Sequence, residues 1–533
     1  MVSPSSSRPY LSVVAASRND DHGGDPLIRT QIFLNTFARQ CEHYRLPAEL
    51  ILVDWNPVAG RPGLANVLQL PAEATYCSAR VITVPAVLHD RLKYADRLPF
   101  FQMIAKNAGI RRARGQFILA TNIDIIFSDE LMRHISRQQL DPTKMLRVDR
   151  YDIQQDIPPT FSVEQTLDYA WSHPVRSHRR LAPLALVEQL YGADWFKRTV
   201  VPDPKASPPM TGITVGREGE FWAVRSDRDR PIDNLHANAC GDFTLLAREG
   251  WEAISGYPEF HAFSMNIDSV GLAAAHYAGF EEVALLPPCV CFHIEHSLGS
   301  GWTPEGEEKL FTRLQQGNIP NPDWDVISYL TEAMRLRESP VAMNGPAWGL
   351  AGFELPDEPL LPGRIVPGPA HPRSYRAPSD LPVSALLPEF DLDVISLTHA
   401  RHTVRLRKLF KDSQTALKQA EGYLRLVDKD SADRLAALEQ YGVKMKECDA
   451  RMKQMDAYTL SIEKDRAERL ASINHYQEKL KKAYEDHAHN VAYIERLHTE
   501  IALHVKIAAE RDAIIAQLNE QLRVATERRP AGP

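Results

Sequence analysis

An α/β fold with a mainly parallel sheet, continued by a proline-rich linker and a long helical region, is what three features of the sequence predict. Short apolar runs alternate with helix-length amphipathic stretches from about Tyr10 to about Ser339. Eleven prolines fall between Pro340 and Pro388, and such a stretch builds no regular element. No proline follows Pro388 until Pro530, and that last region is rich in Ala, Glu, Lys, Leu and Arg, as long helices are. The boundaries that follow are a tail at 1–9, an α/β domain at 10–339, a linker at 340–395, a helical region at 396–527 and a second tail at 528–533.

The elements of the first domain read in order. Leu11–Ala16 is an apolar run that ends in Ser17-Arg18-Asn19-Asp20-Asp21. A helical pattern covers Leu27 to Tyr44. Glu49–Asp54 is a second strand ending in an acid, and Arg80–Val84 is a third. Phe100 to Ala113 is helical, and Gln116–Ala120 is a fourth strand ending at Thr121. Ligands of such sheets sit beyond the carboxyl ends of the strands. The polar residues just past those ends are therefore the ones to follow: Ser17, Arg18, Asn19, Asp54, Asn122 and Asp124. Later, Val290 to His296 reads as a strand ending in His293-x-x-His296. A spacing of three puts two residues on opposite faces of a strand. Both histidines can serve one site only if the strand ends between them.

Composition narrows the function. The chain has 533 residues, 44% of them hydrophobic, and a net charge of −7. That length implies more than one unit. The absence of a basic surplus argues against nucleic acid as a main partner. No run approaches the roughly 18 to 20 apolar residues that span a bilayer, and the first ten residues lack the apolar core of a secretory signal. The six cysteines show neither CxxC pairing nor zinc spacing. A reduced, cytoplasmic protein without a transmembrane segment is expected, at most peripheral to the inner face of a membrane.

Several segments then recur in a fixed order. Lys106-Asn107-Ala108-Gly109-Ile110 and Ala113-Arg114-Gly115 lead into Phe117-Ile118-Leu119-Ala120-Thr121-Asn122-Ile123-Asp124. Gly241 to Arg248, Gly256-Tyr257-Pro258-Glu259 and Asn266-Ile267-Asp268 follow. In this order they resemble the GT-A fold glycosyltransferases, especially the inverting family 2 type, over about Leu11 to Trp302. The resemblance implies a Rossmann-like GT-A domain, a nucleotide-sugar donor, a glycan or other hydroxyl acceptor, and Mn2+ or Mg2+. Under it, Asp124 is the metal ligand of a DxD motif whose first acid is here Asn122. Asp54, with Ser17, Arg18 and Asn19, lines the nucleotide pocket. Lys106 offers a cation to the diphosphate, and His293 or His296 joins the metal. Asp268 is the general base, with Ile267 where the family usually has Glu. From the residues themselves, Ser297–Trp302 can be a mobile flap over the donor or a turn, and Trp222, Trp251 and Tyr257 can be acceptor-side aromatics, since sugar rings expose apolar faces. Tyr151–Gly219, which fits the family pattern poorly, is expected to be an insertion near the acceptor.

The residue types suit that chemistry on physical grounds. A departing sugar diphosphate gains negative charge, which a hard cation on oxygen ligands neutralises. An attacking hydroxyl must lose its proton to a carboxylate. Blander roles compete at each position. Asn122 and Asp124 can simply terminate a strand, and Ser17, Arg18, Asn19 and Asp54 can begin ordinary loops. Lys106 can lie on a solvated helix face, and Asp268 can cap the helix from Val270 to Ala278. The histidines and aromatics can be core residues. A non-catalytic scaffold with a degenerate sugar-nucleotide fold is the competing reading of the whole. A nucleotidyltransferase would want a glycine-rich phosphate loop after the first strand, and Ser17–Asp21 is not one.

In the last region a heptad column runs Ile473, Leu480, His487, Ile494, Ile501, Ala508, Ile515, Leu522. It predicts a coiled coil and a homo-oligomer built through it. A helix folded back on its own chain is the alternative.

Overall fold

The computed structural model describes residues 8–20, 24–178, 188–190, 213–226, 235–296, 304–365 and 432–485, with a few positions from 502 to 516. The chain opens with β1 (Leu11–Ser17), α1 (Pro26–Tyr44), β2 (Ala48–Trp55), β3 (Cys77–Val84), α2 (Ala86–His89), α3 (Gln102–Arg112), β4 (Phe117–Ala120) and β5 (Ile125–Phe127). It continues with α4 (Asp129–Ser136), β6 (Lys144–Ile153), α5 (Val163–Ser172), β7 (Pro174–His178), β8 (Ile213–Glu218), β9 (Phe221–Ser226) and β10 (Thr244–Ala247). Then come α6 (Arg248–Ala253), α7 (Ile267–Tyr277), β11 (Glu281–Ile294), α8 (Pro304–Gln316), α9 (Trp324–Arg337), β12 (Asp357–Leu360) and α10 (Ala432–Glu485).

These strands form one mixed sheet in the order β12-β3-β2-β1-β4-β10-β6-β11-β9-β8, with β5 on β11 and β7 on β6. The run β3-β2-β1-β4 is parallel, as expected, and β6 is parallel to β11. The other pairs are antiparallel. Every residue of β1 and β2 is buried, because helices cover both faces. Val13, Ala15, Leu50 and Leu52 pack with Phe33 and Phe37 of α1. On the other face α3 comes close through Gly109, where a Cβ would lie 2.5 Å from Val14 Cγ1.

The proline-rich stretch departs from expectation. It contributes β12, antiparallel to β3, with Asp357 opposite Ile82 and Leu360 opposite Ala79. Pro359 is tolerated because β12 is the last strand at that end of the sheet and needs no second partner. Residues 366–395 lie outside the described residues.

The chain divides into two compact units, one of residues 1–327 and 338–394, the other of residues 328–337 and 395–533. The last turns of α9 therefore belong to the C-terminal unit rather than to the α/β domain. In that unit α10 runs for 54 residues, and Ile462 is buried with Tyr458 and Ala516 packed against it. The side chains of the heptad column, from Ile473 on, lie outside the described residues. No helix among the described residues is long and apolar enough to cross a membrane.

Candidate functional site

The carboxyl ends of β1, β2 and β4 open on one edge of the sheet, as the parallel register requires. There the chain leaves β4 and turns. Thr121 Oγ1 donates to the carbonyl of Asp242 at 2.6 Å, and the amide of Ile294 donates to the carbonyl of Asp124 at 2.9 Å. The second bond ties the β4 exit to the end of β11. Because β11 stops at Ile294, His296 is free of the strand's alternation. His293 Nε2 lies 3.7 Å from Asp124 Oδ2, and His296 Nε2 lies 3.3 Å from it. Both histidines thus face one carboxylate. Ligand atoms of Asp124, His293 and His296 all lie within 4.8 Å of one another, and all three residues are buried. Asp124 Oδ1 has no hydrogen-bond partner among the described residues. A carboxylate and two imidazoles arranged so fit a divalent cation.

The electrostatics agree with that arrangement. Burial opposes ionisation of Asp124, but His293, His296 and Arg29 outweigh it and hold the carboxyl well below the usual range. Burial pulls His293 down, and Asp124 with Asp152 brings it up to a net rise.

A second group lies under the 240–242 turn. Asp268 is in the first turn of α7 and partly exposed. It is not the helix cap, since that position is Asn266, in the left-handed region. Gly241 lies close against it, since a Cβ there would be 2.8 Å from Asp268 Oδ2 and would displace that carboxylate. Burial pushes the Asp268 carboxyl up, against the Cys240 thiol and the Lys106 cation. Lys106 itself is fully buried rather than on a solvated face. Its Nζ donates to Gly241 O at 2.7 Å. Burial lowers its proton affinity, while Asp242, Asp268 and Asp124 oppose the loss. One ammonium therefore feels both acids that the sequence singled out.

No family model and no curated sequence matches the chain.

The remaining predicted residues are placed as follows. Asn122 Nδ2 donates to Asp242 Oδ1 at 2.5 Å, and its Oδ1 accepts from Gln102 at 2.8 Å. Asp54 is buried, and its Oδ2 accepts the Leu64 amide at 2.9 Å. Asn19 donates to Pro62 O at 2.9 Å and Arg18 to Pro99 O at 3.0 Å. Ser17 closes β1 and is buried. Trp251 and Tyr257 are not acceptor-side aromatics. Both are fully buried, 5.0 Å apart, with Trp251 Nε1 donating to Ile118 O. Trp222 is partly buried and stacks under the Arg217 guanidinium at 4.0 Å. The expected flap, Ser297–Trp302, lies outside the described residues. Residues 179–187 and 191–212 of the expected insertion also lie outside the described residues, and its described part supplies α5, β7, paired with β6, and β8, paired with β9.

Four residues near the acids were not anticipated. Arg29 Nε is 3.9 Å from Asp124 Oδ2. Arg150 Nη1 donates to Asp242 Oδ2 at 2.5 Å, and its Nε lies 2.9 Å from Asp152 Oδ1. Asp242 joins Asn122 to Arg150. The signal for two of them, Arg150 and Asp152, was in Arg147-Val148-Asp149-Arg150-Tyr151-Asp152, where equal numbers of Arg and Asp alternate along a strand with apolar neighbours. Charges buried at that density are paired.

Proposed function

We propose that the first unit is a glycosyltransferase, moving a sugar from a nucleotide-sugar donor to a hydroxyl of a glycan or similar acceptor with inversion. The observation that carries it is the convergence of Asp124, His293 and His296 on one point at the carboxyl edge of the sheet, with Asp268 against the Gly241 turn whose carbonyl Lys106 holds. Asp124, His293 and His296 would hold a divalent cation. When bound it would neutralise the departing diphosphate. Of the two expected ions, Mn2+ suits a site with two imidazoles better than Mg2+, which prefers oxygen ligands.

The chain's own residues divide the work. The acceptor oxygen bonds to the anomeric carbon as that carbon's bond to the diphosphate breaks. Asp268 takes the hydroxyl proton from the opposite side. Lys106 acts from beneath Gly241 and steadies the acids rather than touching the donor. Asn122, held by Gln102 and Asp242, faces the ribose end. Ser17, Arg18, Asn19 and Asp54 shape the nucleotide end. Donor hydrolysis in the presence of Mn2+ tests the reading. Asp124→Ala is expected to cut turnover by roughly a hundredfold or more, since the cation's charge stabilisation amounts to several kcal/mol. Full turnover in that variant removes the metal role.

The second reading, a non-catalytic scaffold, is favoured by the internal engagement of Asn19 and Asp54. Calorimetry separates the two. Heat of binding from a nucleotide sugar with Mn2+ supports the enzyme, and its absence across donors supports the scaffold.

A further inference from the structure

We infer that Asp152 is a positioning residue for the cation site, fixing the ring of His293 so that its Nε2 is presented as a ligand. The inference rests on the reading of Asp124, His293 and His296 as cation ligands. Asp152 stands directly beside His293 in the parallel β6–β11 pair. It is completely buried, and its Oδ1 lies 3.2 Å from His293 Nδ1. Arg150 Nε is 2.9 Å from the same oxygen. Arg176 grips the other oxygen through Nη2 at 2.6 Å and Nε at 2.8 Å. A carboxylate held between two guanidinium groups only accepts hydrogen bonds. The ring nitrogen facing it must therefore be the donor, so in the neutral ring that a cation ligand requires it is Nε2, 3.7 Å from Asp124 Oδ2, that presents the lone pair.

Such outer carboxylates set both the tautomer and the rotation of a ligating imidazole. Glu295 Oε2 also lies 3.7 Å from Nδ1, but it is partly exposed and farther away than Asp152. The same carboxylate reaches the donor side. From Asp152, Arg150 leads to Asp242 at 2.5 Å, and Asp242 leads to Asn122 at 2.5 Å. One buried chain of charge thus orients a cation ligand at one end and the altered DxD position at the other.

The test is Mn2+ affinity of the full chain, read by electron paramagnetic resonance of free Mn2+ and needing no turnover. Asp152→Asn is expected to weaken Mn2+ binding about 10–100-fold, and Glu295→Gln to change it far less. Asp152→Glu keeps the charge between Arg150 and Arg176 but displaces the oxygens by one methylene. It is expected to bind Mn2+ with intermediate affinity at a wild-type unfolding temperature. Wild-type affinity in Asp152→Asn overturns the inference. Should that variant fail to fold, wild-type affinity in Asp152→Glu overturns it. Binding lost in Asp124→Ala but kept in Asp152→Asn sinks this inference alone. A wild-type chain that binds no Mn2+ sinks the cation reading and this inference with it.

Discussion

Asp268 and Lys106 lie under the same turn with opposite charge, and each opposes part of the shift that burial imposes on the other. A base is lost as pH falls through its pKa. Because burial raises that of Asp268, the acid limb of the transfer rate should fall at higher pH than an ordinary aspartate would give. Lys106→Met removes the cation that favours the carboxylate. The limb should then move to still higher pH, with the plateau rate less affected, in a profile of rate against pH. A limb that moves to lower pH would contradict the pairing. Asp124 and Asp268 were legible at this scale because each follows a strand end or begins a helix. The convergence of His293 and His296 on Asp124 was not. Their spacing argues against it until the strand is seen to stop at Ile294, and end positions are the least determined part of a pattern. Lys106 misled in the other direction. A lysine in a helix suggests solvent, and nothing local announces the carbonyl of Gly241, which is far along the chain.

The elements that hold the site depend on close backbone approaches. Gly115 precedes β4, donates its amide to Ser12 Oγ at 2.7 Å, and leaves only 2.5 Å between a would-be Cβ and Ser12 N. Backbone cannot yield as a side chain can, so Gly115→Ala should destabilise the fold by about 1–3 kcal/mol, seen as a lower urea midpoint. The turn after α6 is held by Asn107, whose Oδ1 accepts from Tyr257 N at 2.8 Å and whose Nδ2 donates to Tyr257 O at 2.7 Å. Asn107 Nδ2 also reaches Glu259, which accepts the Gly349 amide at 2.7 Å. Burial pushes the Glu259 carboxyl up to about 7 from 4.5, against those two hydrogen bonds. The folded chain therefore binds this proton more tightly than the unfolded chain, and stability falls as pH rises from about 4.5 to about 7. Glu259→Gln should be more stable than wild type at pH 8, on the order of 1–2 kcal/mol because solvent partly screens the group. The two should converge near pH 4. Thermal unfolding across that range decides. The parallel strands at this scale were readable from their apolar runs, whereas β12 was hidden because its four residues, Asp357 to Leu360, include a proline and two acids. It pairs by position, not by propensity.

Across the whole molecule, the two units differ in how their packing is achieved. The first closes around a sheet covered on both faces. In the second, Ala516 packs on Ile462, although they are 516 − 462 = 54 positions apart. In one continuous helix that separation would span about 80 Å, so α10 meets a returning part of its own chain. Self-association through the heptad column remains the proposal, and light scattering tests it. Removing residues 396–533 should lower the number of chains in the assembly, and an unchanged number means that the apolar seam is closed within one chain. The proline-rich segment has a further consequence at this scale. A sheet that ended at β3 would offer a row of open amides and carbonyls to any passing strand, the starting point of aggregation. β12 covers that row and then offers little itself, with exposed Asp357 and Glu358 and with Pro359, which has no amide to donate. A chain cut before Asp357 should therefore turn cloudy on concentration while one cut after Ile365 stays clear, making this short segment a guard of colloidal stability.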